Sequence, residues 1–398
     1  MDTDLVVIGA GALGLSAALH AALAGQSVVI IERERAGSQA SGRAAGLFKS
    51  VQADELRTRL ARRSIARALS FADWAGAELD VVRSGSLLVA RTDEHKTFLM
   101  TEARQSRSWG VDVQDAEAGQ RSFYHGDGHE LALWCPEDIY IEEPIDLVRA
   151  YVIAARLHGA ELLECERVTA IKTSAGRVTG VETTGRTIST KAVVDAAGAW
   201  TKQLAGLAGC DVAVAPVRHQ LLITEPIAGI NQADPIVRVV DAAVYMRPAR
   251  GGLMVGGFES DPLPVDPRTE AADFDTDDVP LDLGVLRKLA GQVESEVPAA
   301  TAALVAEHRG GLFTMSPDGR FVAGPVPDVP GLWVAAGCNG SGFSSSLALG
   351  EALAAWISGQ DDRQGIDALS PARFGLFTDD ALISAGVWQY AHYYDPAV

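Results

Sequence analysis

The first 33 residues restrict the fold more than any other stretch of the chain. Leu5-Val6-Val7-Ile8 reads as a short buried strand, and Gly9-Ala10-Gly11-Ala12-Leu13-Gly14 follows directly. A helical stretch from Leu15 to Ala24 comes next, then a turn at Gly25-Gln26-Ser27 and a second strand, Val28-Val29-Ile30-Ile31, ending in Glu32. This is GxGxxG spacing between a strand and a helix, with an acid about 20 residues on. Each position has a physical task. Gly9 permits the tight turn, Gly11 lets the backbone approach a pyrophosphate, and Gly14 lets helix and strand pack closely. The helix N-terminus offers free N–H groups and a partial positive charge to phosphates. Glu32 can accept hydrogen bonds from a ribose diol. The unit predicts dinucleotide binding; the alternative is an ordinary strand-to-helix turn that binds nothing.

At 398 residues the chain is long enough for two domains. A net charge of -18, from 52 acidic and 34 basic residues, argues against nucleic acid or an anionic membrane as a partner. The four cysteines, Cys135, Cys165, Cys210 and Cys338, fit neither zinc spacing nor a disulfide framework, so no metal is expected and a reducing cytoplasm is. No stretch is long and apolar enough for a membrane span. The run from Leu5 to Gly25 lacks the basic start of a signal peptide, carrying Asp2 and Asp4 instead.

After Glu32 a segment of small residues, Ser41-Gly42-Arg43-Ala44-Ala45-Gly46, suggests backbone held against a ligand, or a plain loop. Asp54 to Gly76 has a helical period, with five arginines (57, 59, 62, 63 and 67) on what reads as a solvated face. Ser86 to Ala90 is a strand, Thr92 to Gly110 a polar helix, and Leu131 to Ile141 strand-like. Pro144 opens a helix through Leu157. Strands then follow at 161–165, 168–174, 178–183 and 193–197, the last leading into Gly198-Ala199-Trp200 and a helix to Leu207. Alternation between Val212 and Leu263 predicts mostly strand, and Asp261 to Pro280 reads as loop. Leu281 to Val297 reads as helix and Leu304 to Thr314 as strand.

A second glycine-rich unit sits far down the chain. Leu332 to Ala336 is a buried strand, Gly337-Cys338-Asn339-Gly340-Ser341-Gly342-Phe343 a turn, and Ser346 to Ile357 a helix. A nicotinamide dinucleotide needs one such unit. A second helix N-terminus suits the electron-rich edge of a reduced flavin ring.

Together these residues resemble the D-amino-acid oxidase superfamily of FAD-dependent oxidoreductases, in the branch of sarcosine oxidase, glycine oxidase, dimethylglycine dehydrogenase and D-arginine dehydrogenase. Four motifs in order carry the resemblance: Gly9-x-Gly11-x-x-Gly14 with Glu32, the run from Ser41 to Gly46, Val194 to Trp200, and Pro317-Asp318-Gly319 through Gly350. The resemblance implies an α/β Rossmann-like FAD domain (1–85, 142–211 and 308–372) interleaved with an α+β substrate domain built on an antiparallel sheet (86–141 and 212–307). Residues 373–398 form a tail. It implies transfer of a hydride from a C–H beside an amine nitrogen to flavin N5, giving an imine that water hydrolyses. It places FAD contacts at Gly9, Ala10, Gly11, Ala12, Leu13, Gly14, Glu32, Arg33, Ser41, Gly42, Arg43, Ala45, Gly46, Val168, Ala197, Gly198, Trp200, Gly311, Gly337, Asn339, Gly340, Ser341, Gly342, Phe343 and Ser344.

Departures from the pattern matter as much. The sarcosine oxidases attach flavin through a cysteine where Gly311 stands here, and the dimethylglycine dehydrogenase type through a histidine near Arg43, so non-covalent FAD is expected. The carboxylate-clamping arginine after Gly-Leu is replaced by Phe313, and the lysine of Gly-Phe-Lys by Ser344. Candidates for holding substrate are therefore Tyr245, which aligns with a pocket tyrosine of D-arginine dehydrogenase, then Lys49, His219, Arg218 and Arg247. Met254 stands where the sarcosine oxidases carry the lysine that favours oxygen, which tilts the reading toward a dehydrogenase. The expected substrate is a small amine, amino acid or N-methyl amine. The acceptor (oxygen, a quinone or a redox protein) is left open, and a homo-oligomer is allowed. Alternatives are a 2-hydroxy-acid dehydrogenase and a flavin-bearing subunit of a larger complex. The aromatic tail, Val387 to Tyr394, either docks on its own subunit or a twin, or meets an electron acceptor.

Overall fold

Strand β1 (Leu5–Ile8) is buried along its whole length and lies inside a six-stranded sheet of a computed structural model that describes residues 2–117, 123–360 and 363–395. The sheet runs Val322–Pro325, Leu332–Ala336, Val193–Asp195, β1, β2 (Val28–Ile31) and Glu161–Leu163; every neighbouring pair is parallel except the first. Its inner strands are near-continuous in Val, Ile and Leu because both faces are covered. Helix α1 (Ala12–Leu23) and the helix Gly342–Ile357 cover one face, burying Leu15, Leu19, Leu347 and Leu353. They cross tightly. A Cβ on Gly350 would collide with Ser16 and the backbone of Ala17. A three-stranded meander (Val168–Ser174, Arg177–Thr183 and Thr187–Ser189) covers the other face through Val178, Val181 and Ile188.

The second sheet has eight strands in the order Val305–Met315, Ala215–Thr224, Gly252–Gly257, Val244–Ala249, Ile236–Val239, Ser86–Ala90, Leu131–Cys135 and Gln114–Ala116. All pairs are antiparallel save Ile236–Val239 with Ser86–Ala90. The tail forms a helix, Asp379–Ala391, that packs on the outer strands of this sheet: a Cβ on its Gly386 would press on Ala215 and Met315. No helix among the described residues is long and apolar enough to cross a membrane.

Several expected boundaries move. The far helix starts at Gly342, four residues before Ser346, because the first turn of a helix tolerates small residues whose N–H groups have no partner inside it. The 54–76 helix breaks at Ser70 into Glu55–Leu69 and Phe71–Ala75. Its arginine face is not simply solvated. Arg62 makes a double hydrogen bond to Glu137, and Arg63 and Arg67 both grip Glu351 on the Gly342–Ile357 helix. The expected helix over 281–297 is regular only over Leu283–Gly291.

Candidate cofactor and substrate site

The two sheets face one another across a cavity of about 590 Å³, and both glycine-rich turns open into it. At one end, Glu32 follows β2 and is buried; its carboxylate accepts the Ala10 N–H at 2.8 Å and the Glu34 N–H at 3.0 Å. Burial raises its pKa against those two hydrogen bonds. The Arg33 guanidinium lies 3.8 Å from the centre of the Trp200 ring and donates to the Phe274 carbonyl. The loop at 261–280 closes this end. Thr276 hydrogen-bonds Gln39 through its backbone and hydroxyl, Arg167 donates to the Ala272 carbonyl, and Arg43 pairs with Asp277 at 2.6 Å.

In the middle, Gly11, Ala12 and Leu13 of the first turn meet Ser41, whose hydroxyl accepts the Ala12 N–H at 3.0 Å. Opposite them lie Gly340, Ser341, Gly342, Phe343 and Ser344, the start of the second helix. Two helix N-termini therefore converge on one space, each a source of partial positive charge.

At the far end the eight-stranded sheet supplies the wall. His219, Leu221, Tyr245, Phe258, Arg309 and Phe313 all reach the cavity. His219 is held at both ring nitrogens, by Tyr390 at 2.7 Å and by Tyr245 at 2.8 Å, and it stacks on Phe313 with centroids 4.2 Å apart. Burial pulls its pKa down to about 3, so it is a neutral hydrogen-bond relay between two phenols. Tyr393 of the tail stacks on Phe258 at 3.9 Å, and Tyr393 and Tyr394 line the same cavity. The Lys49 ammonium sits 4.8 Å from the Tyr393 ring centre.

A pattern match to a known family spans residues 4–356, described as FAD dependent oxidoreductase (DAO). The chain belongs to this DAO family. Sarcosine dehydrogenase, mitochondrial, of Homo sapiens is 29% identical over 371 residues, covering 89% of this chain and 39% of that one. The 4-methylaminobutanoate oxidase (formaldehyde-forming) of Paenarthrobacter nicotinovorans is 28% identical over 373 residues, covering 88% and 43%. The chain thus spans about two-fifths of the length of these two relatives. The solved structure of L-proline dehydrogenase from P. horikoshii shares the fold, with a TM-score of 0.84 at 24% identity over 94% of this chain and 98% of that one.

FAD is the cofactor of the DAO family, and the residues present fit it. A buried acid stands at one end, glycines without side chains border the narrow middle, and two helix N-termini face the same space. Of the residues expected to touch it, Gly9, Gly11, Ala12, Leu13, Glu32, Arg33, Ser41, Arg43, Ala45, Gly46, Val168, Ala197, Gly198, Trp200, Gly311, Gly340, Ser341, Gly342, Phe343 and Ser344 line the cavity. Ala10, Gly14, Gly42, Gly337 and Asn339 lie behind its wall. Asn339 is a buried brace: its side-chain oxygen accepts the Ser316 N–H, and its nitrogen donates to the Gly337 carbonyl and the Ser316 hydroxyl.

Among the substrate candidates, Tyr245, Lys49 and His219 are brought together at the sheet end. Arg218 and Arg247 are not. Arg218 is buried behind the sheet, doubly bonded to Glu259 at 3.1 and 3.2 Å and donating to the Pro280 carbonyl. Arg247 is fully buried and donates to the carbonyls of Ala45, Pro248 and Glu142. Both are spoken for by distant partners that spacing along the chain does not reveal. Sequence reasoning missed Arg309, Phe258 and the tail tyrosines as wall residues. A run of aromatics at 390, 393 and 394 was the available signal.

The buried histidines give a pH prediction. His219 and His20 are held neutral by burial, with pKa values lowered to about 3 and about 4, below the ordinary value near 6.5. An unfolded chain takes up these protons first. The stability they contribute is fully present above about pH 6.5 and is lost as pH falls toward 4 and then 3. The expected result is a melting temperature that falls between pH 6.5 and 4, less steeply in His20→Gln and in His219→Gln. Equal slopes in wild type and both variants would refute it.

Proposed function

We propose that this chain oxidises the C–N bond of a small amine, an amino acid or N-methyl amine, at an FAD held without a covalent link. The observation that carries the reading is the single cavity that joins the dinucleotide turns to an aromatic pocket on the eight-stranded sheet. When bound, FAD supplies the two-electron acceptor beside the sheet. The chain's own residues do the rest. Phe258, Phe313, Tyr245 and Tyr393 exclude water and make a low-dielectric site, which favours the neutral amine over its ammonium form. His219, tied to Tyr390, fixes the Tyr245 hydroxyl at the pocket edge. Removal of a hydride, two electrons and a proton, from the C–H beside the neutral nitrogen leaves an iminium ion, which water splits to a carbonyl compound and a smaller amine or ammonia with release of one proton. Holding that C–H in position is the main contribution asked of the pocket.

The non-covalent link rests on Gly311, which has no side chain to attach, and on Arg43, whose guanidinium is engaged with Asp277. An acceptor other than oxygen is part of the reading, because Met254 is wholly buried among Leu221, Ile223, Ala249 and Ala45 where a lysine would favour oxygen. A cytoplasmic setting is supported by four unpaired thiols, one of them exposed. The nitrogen product tests the reaction class: turnover of an acyclic amine should yield ammonia or the shortened amine in step with the carbonyl product. A keto acid formed from a 2-hydroxy acid, with no amine consumed, would replace this reading with hydroxy-acid oxidation.

A further inference from the structure

Arg309 lies on the strand Val305–Met315 and lines the cavity, yet its side chain is only 10% exposed. Its Nη1 edge is held by Glu307 at 3.4 Å and Glu143 at 3.9 Å. Its Nε and Nη2 are buried and have no hydrogen-bond partner among the described residues. These two N–H groups form one side of the guanidinium, the parallel fork that matches the two oxygens of a carboxylate. Leaving a buried charged donor pair unsatisfied is costly, and native structures seldom do it without a reason.

The sheet register sets which face of the sheet Arg309 leaves from. Arg309 pairs with Leu221, Leu221 with Gly256, and Gly256 with Tyr245, so all four project from the same face along one row. At the far side of the row, Tyr245 leans back over Gly256: a Cβ at Gly256 would overlap its hydroxyl. Arg309 and Tyr245 thus leave the same face of the sheet on either side of Leu221, and both residues line the cavity. The next cation of the row, Arg238, is already paired with Asp138 at 3.2 Å. Lys49 is turned to the Tyr393 ring.

Resting on the amine-oxidation reading above, we infer that Arg309 is the carboxylate anchor of the substrate, which is therefore an amino acid or N-alkyl amino acid small enough to lie between Arg309 and Tyr245. The anchor sits two residues before Gly311, not after the Gly-Leu pair, where Phe313 fills the space and stacks on His219. Glu307 and Glu143 hold the guanidinium by Nη1, which leaves the Nε–Nη2 edge without a protein partner.

The test uses the flavin-loaded protein with propionate and propionamide as non-reacting probes, read by the change each causes in the flavin's visible spectrum. Propionate should bind and propionamide should not. In Arg309→Gln propionate affinity should fall by about 100-fold, as for a buried charge pair losing one partner, with flavin content unchanged. Arg309→Lys should recover part of it. Across a panel of glycine, N-methylglycine and proline against methylamine and pyrrolidine, the substitution should raise KM for the acids much more than it lowers kcat. Equal binding of acid and amide by the wild type would overturn the inference even if Arg309→Gln failed to fold. So would preferential oxidation of methylamine or pyrrolidine over the acids. Propionate binding without reduction by any amine would instead sink the amine-oxidation reading and leave the anion site standing.

Discussion

Replacing Gly14 by alanine is expected to yield a protein that purifies without its yellow colour. Gly14 lies in the first turn of α1, directly over the β1 turn, and a Cβ there would overlap the carbonyl oxygen of Gly9 and crowd Ala196. Neither neighbour can yield cheaply, because one is backbone and the other ends a strand buried between β1 and Leu332–Ala336. The helix must lift off the strand, and its N-terminus leaves the place where the Ala12 N–H meets Ser41. Overpacking of this kind costs about 1–3 kcal/mol or more. The loss of flavin should exceed the loss of fold, because the lifted turn is the proposed phosphate cradle and borders the cavity. Flavin absorbance per mole of protein and thermal unfolding check it together. A yellow variant of wild-type stability would show that this turn is not the phosphate cradle.

The second large effect lies at the other end of the chain. Tyr390 is completely buried, donates or accepts at His219 Nδ1, and packs against Phe258 and Phe313. Tyr390→Ala removes a whole aromatic side chain from behind the pocket wall, at an expected cost of about 3–5 kcal/mol. It also frees the His219–Tyr245 pair to move. Tyr390→Phe keeps the packing and removes one hydrogen bond to a buried histidine, about 1–3 kcal/mol. The expected order is wild type, then Phe, then Ala, in melting temperature and in kcat/KM for whichever amine reduces the flavin, with flavin content nearly constant. If Tyr390→Ala matched the wild type in both, the tail would be an attachment without a role in the pocket.

Much of the nucleotide half was legible in the chain. The β1–α1–β2 unit and the Leu332 strand with its glycine turn are local: neighbours in sequence are neighbours in space, and glycine spacing reports backbone approach directly. The substrate half was harder for a physical reason. Arg218, Arg247 and Arg309 all sit on apolar strands and look alike by alternation. What separates them is whether a carboxylate or carbonyl far along the chain satisfies them: Glu259 for Arg218, Glu142 and Ala45 for Arg247. Arg309 differs in leaving two donors, Nε and Nη2, without a partner, where Arg218 leaves only Nε. The loop at 261–280 and the tail are similar cases. Acidic and proline-bearing, the loop carries no period, yet it folds over the Arg33 end of the cavity. The tail's aromatic residues announced burial without saying against what.

Anaerobic mixing decides whether an amine gives up electrons at a flavin seated in this cavity. The flavin-loaded protein is mixed without oxygen with amines, amino acids and 2-hydroxy acids in turn, and the visible spectrum is followed. A small amino acid or N-methyl amino acid should bleach the flavin, hydroxy acids should not, and colour should return slowly when oxygen is readmitted. Bleaching by a hydroxy acid alone, or by no amine at all, would contradict the amine-oxidation reading.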